Sequence, residues 1–134
     1  MAPSSGIKPM VVADVMHRGV VNCRPDTSAL AVARMMAAHR IHFVPVIDYG
    51  GSCTGVVSDR ELELALSSAA PGSILAADIA VAPVIVSPDA KLGYAVALMR
   101  EHAATHLVVA YANRLVGVLS ILDVADAFSN GDGA

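Results

Sequence analysis

The sequence predicts an α/β (α+β) fold: two β-α-β-β-α units packed about a pseudo-two-fold axis. Three observations predict it. Shifted by 63 residues, the chain of 134 matches itself: Pro25-Asp26 falls on Pro88-Asp89, Met36 on Met99, His39 on His102 and Val46 on Val109. Within each copy, short β-branched runs alternate with segments of helical period. A seven-residue phrase also occurs twice, as GVVSDRE from Gly55 to Glu61 and as GVLSILD from Gly117 to Asp123. The register holds after one residue is dropped from the loop DYGGSCTG.

The elements follow in order. Val20-Val21 opens copy one as a short strand, and Val84-Ile85-Val86 opens copy two. A Pro-Asp pair comes next; Asp26 or Thr27, and Asp89, are candidate helix caps. Apolar residues at i, i+3, i+4 and i+7 then mark one buried helical face, Ala29, Val32, Ala33 and Met36, repeated as Leu92, Ala95, Val96 and Met99. Strands follow at 43–48 and 106–111, and after a tight turn at TGVVS and VGVLS. Each copy closes on a helix, RELELALSS or ILDVADAFS. This places the units at 10–68 and 73–128, joined by the breaker cluster Ser67–Gly72, with flexible tails at 1–9 and 129–134. A unit of this size buries little surface alone, which two packed copies remedy.

Composition bounds the function. The chain is 55 % hydrophobic but only 4 % aromatic, without Trp, so its core is Ala, Val, Leu, Ile and Met. Charged residues make up 16 %, few enough to suggest a surface partly covered in a homodimer. The net charge of −3, with nine Lys and Arg spread along the chain, argues against nucleic-acid binding. No apolar run reaches the roughly 18–20 residues of a membrane helix. The N-terminus lacks the apolar centre of a signal peptide, so a cytoplasmic location is expected. Cys23 and Cys53 form no metal or redox motif and read as reduced thiols. His39 and His42, and His102 and His106, have spacings that suit a metal on a helix. No cysteine or acid completes a ligand set, so no metal is expected.

The repeated phrase admits two chemical readings. The serine sits at a strand-to-helix corner, and the acid lies three residues on, in the first helical turn. Ser-x-x-acid is the capping box, which satisfies the helix's own N–H groups. The same corner attracts phosphate, and a short carboxylate there can accept both hydroxyls of a ribose.

The ordered set of motifs resembles a tandem pair of cystathionine β-synthase (CBS) domains, a Bateman module. Copy one carries ADVM at 13–16, PDTSALAVARMMAAHRI at 25–41, VPVID at 44–48 and GVVSDRE. Copy two carries AADI at 76–79, PDAKLGYAVALMREH at 88–102, HLVV at 106–109 and GVLSILD. With no further domain in view, the chain resembles a stand-alone pair. The resemblance implies a regulatory module, not an enzyme. It would need no cofactor and would bind an adenine nucleotide (AMP, ADP, ATP) or S-adenosylmethionine in clefts between the units. It would form a homodimer and signal to a regulated protein whose identity is unknown.

Carried over by position, the main cleft takes Thr105, His106, Ser120 and Asp123 from copy two, with Val20 and Ile41 from copy one. The weaker cleft takes His42, Phe43, Ser58, Arg60 and Glu61 from copy one, with Pro83 from copy two. Glu61 stands where the family prefers Asp, and its extra methylene displaces the carboxylate by about one bond length, which disturbs a bidentate ribose contact. The resemblance therefore favours the nucleotide reading at Asp123, and Glu61 is expected to keep the cap with a weakened ribose contact. Two alternatives stand beside it: a ligand-free dimerisation scaffold in which both phrases only cap helices, and a small thiol enzyme, for which neither cysteine lies beside a visible base.

Overall fold

The computed structural model describes residues 10–133. The expected tail 1–9 lies outside the described residues, and the last helix takes in residues to Gly133. The chain divides into two compact units. One, the copy-one unit, comprises Gly19–Pro83 with Ala112–Leu115. The other, the copy-two unit, comprises among the described residues 10–18, Val84–Tyr111 and 116–133. Each unit thus takes in the opening segment of the other copy: residues 10–18 join the copy-two unit, and Ala76–Ile79 join the copy-one unit.

In the copy-one unit, α1 (Ala29–His39) leads to the antiparallel strands β1 (Phe43–Ile47) and β2 (Cys53–Ser58), then α2 (Asp59–Leu66) and the short α3 (Ala76–Ile79). The β1–β2 register runs from Phe43↔Ser58 to Ile47↔Cys53, with a one-residue irregularity between Val46 and Ile47. Ala29, Val32 and Met36 are buried against Val44, Val46, Val57, Leu62 and Ala65, and Ala33 packs beside them. The helical face read from the sequence is the buried one.

In the copy-two unit, β3 (Ile85–Val86) pairs parallel to β4 (His106–Tyr111) across the crossover helix α4 (Leu92–His102). Strand β5 (Arg114–Ser120) lies on the other side of β4 and runs into α5 (Ile121–Gly133). Leu92, Ala95 and Met99 bury the α4 face against Leu107, Val109, Leu119 and Val124, and Val12 and Met16 complete this core.

Two local expectations are corrected. Val20-Val21 forms no strand; only Cys23 bridges Val46. The Asn22 side chain donates to the Val20 carbonyl at 3.0 Å, a local bond that competes with a ladder. The caps also move. Thr27 N–H donates to Arg24 O at 3.0 Å and Ala90 N–H to Ser87 O at 3.1 Å, so each Pro-Asp occupies the middle of a β-turn, where Pro is favoured. Asp26, Thr27 and Asp89 are spent in those turns. Ser28 caps α1, its Oγ accepting from Ala31 N–H at 3.1 Å, and Lys91 precedes α4 without a side-chain cap.

The same turns receive the short helical segment that opens the other copy. Val12 and Ala13 donate their N–H groups to the carbonyls of Ala90 and Pro88 at 2.8 and 2.9 Å. In the copy-one unit, Ala76 and Ala77 donate to Thr27 and Pro25 at 2.7 and 2.9 Å. The orphan donors of a short helical turn are thereby satisfied by a neighbouring turn's carbonyls.

Candidate functional site

The end of the α4 helix begins the construction of the copy-two corner. Ala103 adopts φ +52°, and Ala104 N–H reaches back to Met99 O at 2.8 Å, closing the helix in a left-handed cap. The chain is thereby turned into β4 at Thr105 and His106. Thr105 O accepts the N–H of Ile121 at 2.9 Å, which ties the start of β4 to the start of α5. Thr105, His106, Ser120 and Asp123 therefore meet at one strand-to-helix corner. His106 Nδ1 lies 2.9 Å from Thr105 Oγ1.

Ser120 and Asp123 close a capping box. Ser120 N–H donates to Asp123 Oδ2, and Asp123 N–H donates to Ser120 Oγ, each at 3.1 Å. The second carboxylate oxygen, Oδ1, is 2.9 Å from Nε2 of His17. The Asp123 side chain is 19 % exposed and that of His17 is 74 % exposed.

The copy-one corner is built alike but bonded differently. Arg40 repeats the left-handed cap at φ +53°, and Ile41 N–H returns to Met36 O at 3.0 Å. Phe43 pairs with Ser58 across β1–β2. Ser58 donates both its N–H and its Oγ–H to a single oxygen, Glu61 Oε1, each at 2.7 Å. His42 Nδ1 is held 2.8 Å from Asp59 Oδ2, with both side chains largely exposed. Arg60 is exposed on α2.

Of the residues expected from sequence, His42, Phe43, Ser58, Arg60, Glu61 and also Pro83 all belong to the copy-one unit. Thr105, His106, Ser120 and Asp123 belong to the copy-two unit, whereas Val20 and Ile41 belong to the copy-one unit.

Two features escaped the sequence reading. The first is the reason for the glycine that opens each phrase. A Cβ on Gly117 would lie 2.7 Å from His17 O and 2.7 Å from Met16 Sδ. One on Gly55 would lie 2.8 Å from Ala80 Cβ. The glycines allow the incoming segment to bridge the strand, His17↔Val118 in one unit and Val81↔Val56 in the other. The second is His17 itself. The 63-residue shift sets His17 against Ala80, and only the two bridges show that Val81 takes its place in the other unit.

Both cysteines are free thiols. Cys23 bonds along one edge of β1, donating to Pro45 O and accepting from Ile47 N–H, while Cys53 pairs with Ile47 across the β1–β2 ladder. Among the described residues, no group of three or more His, Cys, Asp and Glu is placed to hold a metal ion. No described helix is long and apolar enough to cross a membrane.

A family model described as "CBS domain" matches residues 12–68 and 76–130. The chain belongs to the CBS domain family. It is a tandem CBS pair, and both copies of the phrase fall inside the matched segments. The pair is 28 % identical over 117 residues to an uncharacterized protein of Methanopyrus kandleri, a match covering 84 % of this chain and 60 % of that protein. It is 31 % identical over 106 residues to an inosine-5'-monophosphate dehydrogenase of Mycobacterium leprae, covering 77 % of this chain and 19 % of the enzyme. The CBS pair thus spans less than two thirds of the length of both relatives. Among solved structures, it resembles a CBS domain protein of Pyrobaculum aerophilum complexed with AMP. That likeness has a TM-score of 0.78 and 26 % identity, covering 85 % of this chain and 89 % of the other.

Proposed function

We propose that this CBS pair is a regulatory module that binds an adenosyl ligand of the AMP type at the Ser120–Asp123 corner and passes that state to a partner protein. The observation that carries the reading is the direction of the serine hydrogen bonds. Ser120 Oγ accepts from Asp123 N–H, which leaves its hydroxyl proton available to a phosphate oxygen. Ser58 Oγ donates its proton to Glu61 Oε1. The Asp123 corner therefore keeps a phosphate donor that the Glu61 corner has used internally, and its shorter acid suits a ribose diol. The helix N-terminus at Ile121 adds a partial positive charge on the same side. The AMP complex of the Pyrobaculum aerophilum relative supports adenine nucleotide as the class. ADP, ATP and S-adenosylmethionine share the adenosyl part that this corner would grip.

The Glu61 corner is the weaker site. Arg60 offers it a cation, while His42 is held by Asp59. The exposed Leu64, Tyr94, Leu122 and Phe128 support a homodimer or a docked partner, and the reading is of a cytoplasmic regulator with no catalysis of its own. Isothermal calorimetry with AMP tests it: wild type and Glu61→Ala release heat with similar affinity, and Asp123→Ala does not. Equal losses in the two variants would remove the asymmetry.

One observation favours a second reading, a ligand-free scaffold. In both units the acid bonds the serine N–H as a helix cap requires. On that reading no nucleotide co-purifies, and absorbance near 260 nm stays at the level that three Tyr and two Phe dictate.

A further inference from the structure

His17 is held against the carboxylate of Asp123. Its backbone exchanges two hydrogen bonds with Val118, His17 N–H to Val118 O at 2.9 Å and Val118 N–H to His17 O at 3.0 Å. Val118 is two residues before Ser120, so the imidazole is anchored at the corner itself. Its Nε2 then reaches Asp123 Oδ1 at 2.9 Å while Ser120 N–H occupies Oδ2. Both oxygens of the carboxylate are engaged within the chain. The copy-one unit makes the same backbone bridge with Val81, which carries no donor, and there Glu61 uses only Oε1 among its described hydrogen bonds.

We propose that His17 is an intramolecular competitor for the ribose diol. A ligand hydroxyl takes Asp123 Oδ1 as the imidazole swings away. The inference rests on the nucleotide reading above. The contact is reversible because the His17 side chain is mostly exposed and is held at its ring by Asp123. Exposed ion pairs are weak, so the competition is modest, and its removal should tighten binding about two- to fivefold. The pair raises the apparent dissociation constant by the fraction of time the imidazole closes the corner, at every ligand concentration alike.

The test is calorimetry with AMP on wild type, His17→Ala and Asp123→Ala, with the imidazole proton signals of His17 followed through an AMP titration of wild type. Tighter binding by His17→Ala, with His17 signals moving toward those seen in ligand-free Asp123→Asn, supports the competitor. If wild type binds AMP and His17→Ala binds equally or more weakly, the competitor is overturned while the nucleotide reading stands. If neither protein binds AMP, or Asp123→Ala binds as well as wild type, the nucleotide reading falls and takes the competitor with it.

Discussion

Asp14 and Asp78 perform the same task in the two copies. The carboxylate of Asp14 accepts the N–H of Val11 at 2.9 Å, and that of Asp78 accepts the N–H of Leu75 at 2.9 Å. Each pins the first turn of the segment that docks onto its unit's Pro-Asp turn. Loss of such a cap costs about 1 kcal/mol. Asp14→Ala and Asp78→Ala should each lower the urea midpoint by that equivalent, with an unchanged slope. No change in either variant would mean that the docking segments hold without their caps.

Gly117 and Gly55 should tolerate no side chain. A Cβ on Gly117 meets a backbone oxygen at 2.7 Å, which cannot move without breaking the His17–Val118 bridge. Gly117→Ala and Gly55→Ala should each destabilise by about 1–3 kcal/mol, the range of overpacking. Thermal unfolding checks it, and a variant as stable as wild type would contradict the close approach.

Ala103 should improve on replacement by glycine. Its φ of +52° costs an alanine about 1–2 kcal/mol, against about 0.5–1 kcal/mol of extra chain entropy for glycine. Ala103→Gly should therefore gain up to about 1.5 kcal/mol, read from the urea midpoint. A loss of stability would refute the left-handed cap.

The two thiols should separate by reactivity. Burial pushes the Cys23 thiol up to about 11, and the neighbouring Cys53 adds in the same direction; burial also raises Cys53. Cys23 is buried and Cys53 half-buried, so a thiol reagent at neutral pH should modify Cys53 first and Cys23 only on unfolding. The linkage has a definite sign. Above pH 9 the unfolded chain loses the Cys23 proton while the folded chain keeps it, so stability falls between about pH 9 and 11. Cys23→Ala should remove that part of the slope.

Much of this was legible in the sequence because two periodicities carry it. The faces of α1 and α4 follow from apolar spacing, and Ala29, Val32, Met36, Leu92, Ala95 and Met99 are all buried as that spacing requires. Val20-Val21 shows where spacing fails: the β-branched pair forms no ladder, and the Val20 carbonyl is bonded locally by Asn22. The caps were misplaced because a Pro-Asp pair serves a turn as readily as a helix start. Chain order cannot reveal that Val12 and Met16 join the core of copy two, since the bridges His17↔Val118 and Val11↔Lys91 that seat them span most of the sequence. At the site, the serine and acid were readable, but the direction of each hydroxyl bond and the presence of His17 depend on three-dimensional placement.

The central claim is that the Ser120–Asp123 corner is the primary adenosyl site. An AMP titration followed by backbone amide spectra tests it most directly. The account predicts that the amides of Thr105, Ser120 and Asp123 shift first and saturably, with those of Ser58 and Glu61 following only at higher concentration. Saturable shifts at Ser58 and Glu61 alone, or none at either corner, would contradict it.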